Sequence, residues 1–257
     1  MRLIFDSHAH YDDEAFNEDR IDILKNLPEK GIFCVVNVGT CIETSKKAIE
    51  IASTYDYIWA SIGIHPTYTN ELKTEFIDKL KELAKDEKVV AIGEIGLDYH
   101  YGKETVNEQK EMFEKQLELA IELDKPVIIH NREAHLDTMA LLKKYKPKGV
   151  VHCFSGSLEM ANELIKQGMY IGLGGAVTFK NAKNPVNVAQ NIPLEYMVLE
   201  TDAPYMTPVP FRGKRCDSSH IQFTAQKIAE LRGMDVEKLL EITKNNAIKL
   251  FRLEGKM

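Results

Sequence analysis

The chain has 257 residues, of which 44% are apolar and 28% charged, and its formal net charge is -6. This composition excludes a disordered segment and leaves enough apolar material for a sizeable core, such as that of a (β/α)8 barrel of ~250 residues in one domain. The acidic balance excludes a protein that coats nucleic acid with many exposed Lys and Arg, so any such contact must be local.

The first apolar run, Leu3, Ile4 and Phe5, predicts a strand that ends on Asp6-Ser7-His8-Ala9-His10. Residues i and i+2 of a strand share a face ~6.6 Å apart, so His8 and His10 can grip one metal ion between them. Ile21, Leu24 and Leu27 then keep helical spacing up to Pro28, with Gly31 as a stop. Ile32 to Val38 is a β-branched strand, and Ser45, Ala48, Ile49 and Ala52 mark the next helix. Ile58 to Ile64 leads into His65-Pro66, and Phe76, Leu80, Leu83 and Ala84 follow as an amphipathic helix. Val89 to Ile92 precedes Gly93-Glu94, and Phe113, Leu117, Ala120 and Ile121 predict a long helix ending before Pro126. Val127 to Ile129 runs into His130, then a helix with Leu136, Met139, Ala140 and Lys143; Val150 and Val151 run into His152. Ala161, Leu164 and Ile165 form a further stripe, Tyr170 to Leu173 a seventh strand and Met197 to Leu199 an eighth. The helical patterns Ala225 to Leu231 and Leu239 to Leu250 are expected as terminal helices, in about 217–251, of a single 1–257 barrel. The expected fold is α/β, a (β/α)8 TIM barrel, with an open doubly wound sheet as the alternative.

Cys34, Cys41, Cys153 and Cys216 show no C-x-x-C spacing and suit a reducing cytoplasm. Runs such as Val89 to Ile92 are far too short to span a membrane, and no basic segment with a signal-length apolar stretch opens the chain. A cytoplasmic protein with no membrane attachment and no obligate protein partner is therefore expected.

Ligand-type residues recur just past the last apolar residue of a strand: His8, His10, Glu94, His130, His152 and Asp202. In a parallel barrel all these ends open on one face, where such barrels carry their active sites. Four histidines and two carboxylates without a thiolate suit Zn, Mn, Co, Ni or Mg. Six ligands exceed the needs of one zinc, so two divalent ions bridged by Glu94 and sharing an activated water are expected, with Asp202 orienting that water or taking its proton. The reaction class is hydrolysis.

Asp6-Ser7-His8-Ala9-His10, Gly63-Ile64-His65-Pro66, Gly93-Glu94-Ile95-Gly96-Leu97-Asp98-Tyr99, His152-Cys153-Phe154-Ser155-Gly156, Thr178-Phe179-Lys180-Asn181 and Leu199-Glu200-Thr201-Asp202-Ala203-Pro204-Tyr205 together resemble the TatD family of metal-dependent deoxyribonucleases. The resemblance spans nearly the whole chain and implies a barrel, divalent metals at the six positions above and phosphodiester hydrolysis in DNA. It directs attention to Arg132, Lys180, Arg212, Lys214 and Arg215 as phosphate-binding residues, since loops after strands seven and eight often take phosphate in this architecture. His65 has three open roles in ligation, substrate binding or protonation of the leaving oxygen, with a turn-capping role before Pro66 beside them. Glu200 would point the same way as Asp202 on a regular strand and is expected first to hold a neighbouring ligand from behind, with an ion pair to a basic residue or a catalytic role as alternatives. Asp98 and Tyr99 are candidates to line the cleft, with a packing role the default for Tyr99.

The chain departs from the family pattern after Arg215, where Cys216-Asp217-Ser218 replaces the usual Asn-Glu-Pro. Competing readings are hydrolysis of a small ester, amide or phosphotriester, deacylation of aminoacyl-tRNA, and a non-catalytic metal-binding protein. The basic loops favour DNA as the substrate.

Overall fold

A computed structural model describes residues 3–73 and 75–256. Its strands are β1 (Ile4–Ala9), β2 (Ile32–Val38), β3 (Ile58–Ile62), β4 (Val89–Asp98), β5 (Val127–Arg132), β6 (Gly149–Val151), β7 (Tyr170–Leu173) and β8 (Met197–Leu199). They pair in parallel and in sequence order. The ring closes where Ala9 bridges Ala203, with the His10 amide donating to the Ala203 carbonyl at 2.7 Å and the Asp202 amide to the His8 carbonyl at 2.9 Å. This is a (β/α)8 TIM barrel, and its closure removes the open-sheet alternative.

The helices are α1 (Arg20–Asn26), α2 (Ile42–Thr54), α3 (Phe76–Leu83), α4 (Val106–Glu122), α5 (His135–Tyr145), α6 (Leu158–Lys166), α7 (Lys183–Asn191), α8 (Ile221–Arg232) and α9 (Val236–Leu250). Helix α8 ends on Gly233 at φ +61, a left-handed position that glycine occupies without steric cost, and α9 starts on Asp235, whose side chain accepts from the Lys238 amide at 3.0 Å. The turn between them lays α9 against β1 and β8.

Two apolar layers follow from the strand alternation. Ile32, Val35, Ile58, Ile62, Val127, Ile129 and Ile171 face the helices, whereas Phe5, Val36, Val38, Val90, Ile128, Val150 and Val198 fill the barrel. Ala247, Leu250, Phe251 and Leu253 join this inner layer, and Phe251 stacks on Phe5 with ring centroids 6.0 Å apart. The C-terminal segment thus stoppers the end of the barrel at which the strands begin. The opposite end carries the candidate site. No helix among the described residues is long and apolar enough to cross a membrane.

Three local readings change. β4 continues to Asp98, through the Gly93-Glu94 stretch that was expected to follow it. Helix α7 has no apolar stripe strong enough to see in KNPVNVAQN, where only Val188 and Ala189 are buried. Three residues placed on helical stripes by spacing are exposed, Ile21 (61%), Ile121 (51%) and Leu136 (88%), and the inward residues of α5 are Thr138, Leu141 and Leu142.

Candidate metal centre

Strand β1 delivers two imidazoles to one point. The His10 ring is fixed by Nδ1, which donates to the Val38 carbonyl at 2.8 Å and so turns Nε2 inward. His8 Nε2 lies 3.0 Å from His10 Nε2. Glu94 Oε2 is 3.5 Å from the first of these nitrogens and 3.6 Å from the second, and Asp202 Oδ1 is 3.7 and 3.6 Å away. Asp202 holds its place at φ +60, a left-handed conformation that a short polar side chain tolerates.

Below this cluster, Asp6 ties β1 to the chain beyond β8. Its carboxylate accepts from the Thr201 amide at 3.0 Å, the Thr201 hydroxyl at 2.7 Å and the Ser218 hydroxyl at 2.6 Å. Burial nevertheless pushes Asp6 up to about 7, against these hydrogen bonds.

Glu94 reaches a second cluster through its other oxygen. Oε1 is 2.8 Å from His130 Nδ1, 2.8 Å from His152 Nε2 and 3.6 Å from His65 Nε2. The residue sits where the β4–β5 register breaks between Ile92 and Ile95. Gly93 beside it is pressed against β5, since a Cβ there would lie 2.6 Å from the Ile128 Cβ. The carboxylate is therefore shared, one oxygen toward His8, His10 and Asp202, the other toward His130 and His152.

A carboxylate stands behind each outer histidine, within hydrogen-bonding distance only for His130. His130 Nε2 lies 3.1 Å from Asp98 Oδ2, while Asp98 Oδ1 accepts from the His100 and Tyr101 amides, each at 2.9 Å. His152 Nδ1 lies 3.7 Å from Glu200 Oε1, which also accepts from the Cys153 amide. His8 and His152 stack at 3.9 Å with rings 7° from parallel. The Asp98 contact was not foreseen, because its partner lies on the next strand; a carboxylate at the end of β4 in register with Arg132 was the available signal.

Electrostatics fit a cation. Burial opposes charge on His10, yet Asp202, Glu94 and Asp12 raise it to about 9. Burial likewise opposes charge on Glu94, yet His152, His65 and His130 hold it well below the usual carboxylate range. Burial, joined by the neighbouring His130 and His152, takes His65 down to about 3 against the pull of Glu94 and Asp98. The donor set is nitrogen and oxygen, buried, convergent and rich in carboxylate, which fits divalent ions of the Zn, Mn, Co, Ni or Mg kind.

The model of the family described as TatD related DNase matches residues 5–252. The chain belongs to the TatD family. It is 42% identical to an uncharacterized metal-dependent hydrolase, YabD, of Bacillus subtilis, over 98% of this chain and 100% of the relative. It is 34% identical to a protein named 3'-5' ssDNA/RNA exonuclease TatD of Citrobacter koseri, over 96% of this chain and 98% of that one. The crystal structure of YjjV, a TatD homolog from Escherichia coli K12, superposes with a TM-score of 0.92 at 30% identity and covers 98% of each chain. This TatD chain is accordingly a metal-dependent hydrolase.

The basic residues of this TatD chain divide. Arg132 lies over the Tyr101 ring at 4.7 Å and Arg212 over the Phe179 ring at 3.7 Å, and both leave guanidinium edges toward solvent. Lys180 and Lys214 are exposed. Arg215 is turned away from the others: its fork binds the Asp19 carboxylate at 2.9 and 2.5 Å. The Cys216-Asp217-Ser218 departure is absorbed by local hydrogen bonding. Ser218 links Asp6 to Tyr11, whose hydroxyl is 2.7 Å from Ser218 Oγ, and Asp217 forms a reciprocal cap with His220.

Proposed function

We propose that this chain is a nuclease that hydrolyses phosphodiester bonds of DNA, with Glu94 shared between two groups of residues that would each hold a divalent ion. The observation that carries this reading is the division of the Glu94 carboxylate, with Oε2 near His8 and His10 and Oε1 at 2.8 Å from both His130 and His152. His8, His10 and Asp202 would hold one ion and His130 and His152 the other. Ions held there would lower the pKa of water toward ~7 and stabilise charge on phosphoryl oxygens.

The chain's own groups divide the remaining work. Asp202 is held below the usual carboxylate range by the histidines around it, although burial opposes this, so it is ionised and ready to accept the proton of the attacking water. His65, kept neutral by burial, donates a hydrogen bond to the leaving side rather than a full proton, with Nδ1 fixed at 2.8 Å from Thr67 Oγ1. Asp98 fixes the ring of His130, and Glu200 faces the His152 ring at 3.7 Å. Arg132, Lys180, Arg212 and Lys214 draw the phosphate backbone to the mouth, a task that a small neutral ester would not require. The unpaired thiols accord with a cytoplasmic setting.

The test is to load the protein with Mg, Mn, Co, Ni or Zn and to offer end-labelled single- and double-stranded DNA, RNA and small esters. Metal-dependent shortening of DNA, lost in His152→Ala, is expected. Ester hydrolysis without any nucleic-acid cleavage would replace this reading with a small-molecule hydrolase.

A further inference from the structure

The described residues include seven exposed large apolar or aromatic side chains, and the only aromatics among them are Tyr68 (39% exposed), Tyr101 (66%) and Tyr205 (55%). All three lie in loops beyond strand ends, on the face that carries the metal centre. Each stands three residues after a group of that centre and is folded back on it by its own amide. The Tyr68 amide donates to the His65 carbonyl at 2.9 Å, the Tyr101 amide to Asp98 Oδ1 at 2.9 Å and the Tyr205 amide to the Asp202 carbonyl at 2.8 Å. A single exposed tyrosine needs no explanation. Three at the same offset, from β3, β4 and β8, with no exposed counterpart at the stoppered end, form a pattern.

Their settings favour flat, electron-rich partners close to phosphate. Tyr101 stands edge-on to His100, with centroids 4.7 Å apart, and carries Arg132 over its ring. The Tyr205 hydroxyl donates to Asp13 Oδ2 at 2.8 Å, which fixes the ring, and it is within electrostatic reach of Asp202 and Tyr68. Cations beside aromatic rings are the combination that seats unpaired nucleic-acid strands, because each base offers a π-face and each phosphate a charge. In a duplex those faces are hidden in the stack.

We infer that Tyr68, Tyr101 and Tyr205 form a stacking rim that seats the unpaired bases on either side of the phosphodiester under attack. This inference rests on the nuclease reading and assigns the residues that make the site selective for bases rather than for backbone charge alone. Stacking is tolerant of sequence, so the rim holds any base and leaves register to the metal centre and the basic loops.

The experiment compares two strands of equal length and phosphate charge under metal-loaded conditions, a single-stranded DNA oligonucleotide and one built wholly of abasic tetrahydrofuran units. The unaltered chain is expected to prefer the base-bearing strand in kcat/KM by about tenfold or more, the range that stacking on aromatic side chains supplies. Tyr101→Ala and Tyr205→Ala should each shrink that preference by about fivefold, and Tyr101→Phe and Tyr205→Phe should restore it. The Tyr205→Phe arm also removes the hydroxyl bound to Asp13 and so separates the ring from its tether. A preference unaltered in both alanine variants, or lost equally in the phenylalanine ones, overturns the rim. Equal hydrolysis of both strands by the unaltered chain overturns it while leaving the nuclease reading intact, and failure to cleave either strand removes both.

Discussion

The metal centre and the rim around it are built by opposite means. At the centre, His8, His10, Glu94 and His152 are buried, and two of the rings there are held from another strand or loop: His10 by Val38 and His130 by Asp98. At the rim, Tyr101, Tyr205, Lys180 and Arg212 are exposed, and their contacts come from near neighbours or a single distant group. Burial makes an unmatched charge costly, so the centre depends on every member, whereas solvent at the rim screens each loss. Changes at the centre should therefore act as switches and those at the rim as graded adjustments.

The largest effect is expected from Glu94→Ala, since both clusters lose their shared oxygen donor. Hydrolysis should fall by roughly 1,000-fold, with several kcal/mol of charge stabilisation removed, and bound metal should drop in the same sample. If elemental analysis and kcat/KM both match the unaltered chain, the bridged centre is wrong. Asp202→Asn should come next, lowering kcat by about 100-fold with little change in KM. Asparagine tolerates the φ of +60 at this position and keeps an oxygen, so much of the metal should remain. Near-normal single-turnover cleavage at full occupancy would remove Asp202 as the base.

At the rim the two arginines of one loop separate. Arg212→Ala should raise KM for DNA a fewfold and reduce the slope of log affinity against log salt by ~0.7, the share of one phosphate contact on a single strand. Arg215→Ala should leave that slope in place, because its fork already binds Asp19. Equal slopes for the two variants would place Arg215 back among the phosphate contacts.

The smallest effect concerns stability at the edge of the rim, where His220 Nδ1 lies 3.5 Å from Asp217 Oδ1. Hydrogen bonding to Asp217 raises the His220 pKa above its ordinary value, so the folded state binds its proton more tightly than the unfolded state. That contribution is complete below the unfolded value of ~6.5 and is lost as pH rises through the raised one. Asp217 runs the other way: burial opposes it, but His220 and Ser219 hold it low, so its share is present above ~4 and lost in acid. His220→Gln should thus cost about 0.3–1 kcal/mol near pH 6, an amount suited to a partly solvated pair, and less by pH 9. Denaturant melts at the two pH values check it, and a gap that widens with pH would contradict the sign.

The strand ends carried the candidate metal ligands in plain view. His130 follows Val127 to Ile129 and His152 follows Val150 and Val151, and a parallel barrel leaves such residues nowhere to converge but one face. The boundaries of β7 and β8 were legible for the same reason, as uninterrupted buried runs. What the sequence hid were contacts made between distant segments. Arg215 meets Asp19 from 196 positions away, and Ser218 meets Asp6 across 212, so neither leaves a local pattern. The weakly apolar α7 stands where tertiary packing supplies what local composition does not.

The stoppered end has a consequence for when the enzyme comes into being. Phe5 leans on Phe251, and the cluster that begins with His8 is completed by Asp202. During synthesis the first two ligands leave the ribosome long before the last, and the floor beneath them is laid only by the final helix. A partly made chain therefore carries histidines without a centre. The candidate centre is complete only once the two ends of the polypeptide meet.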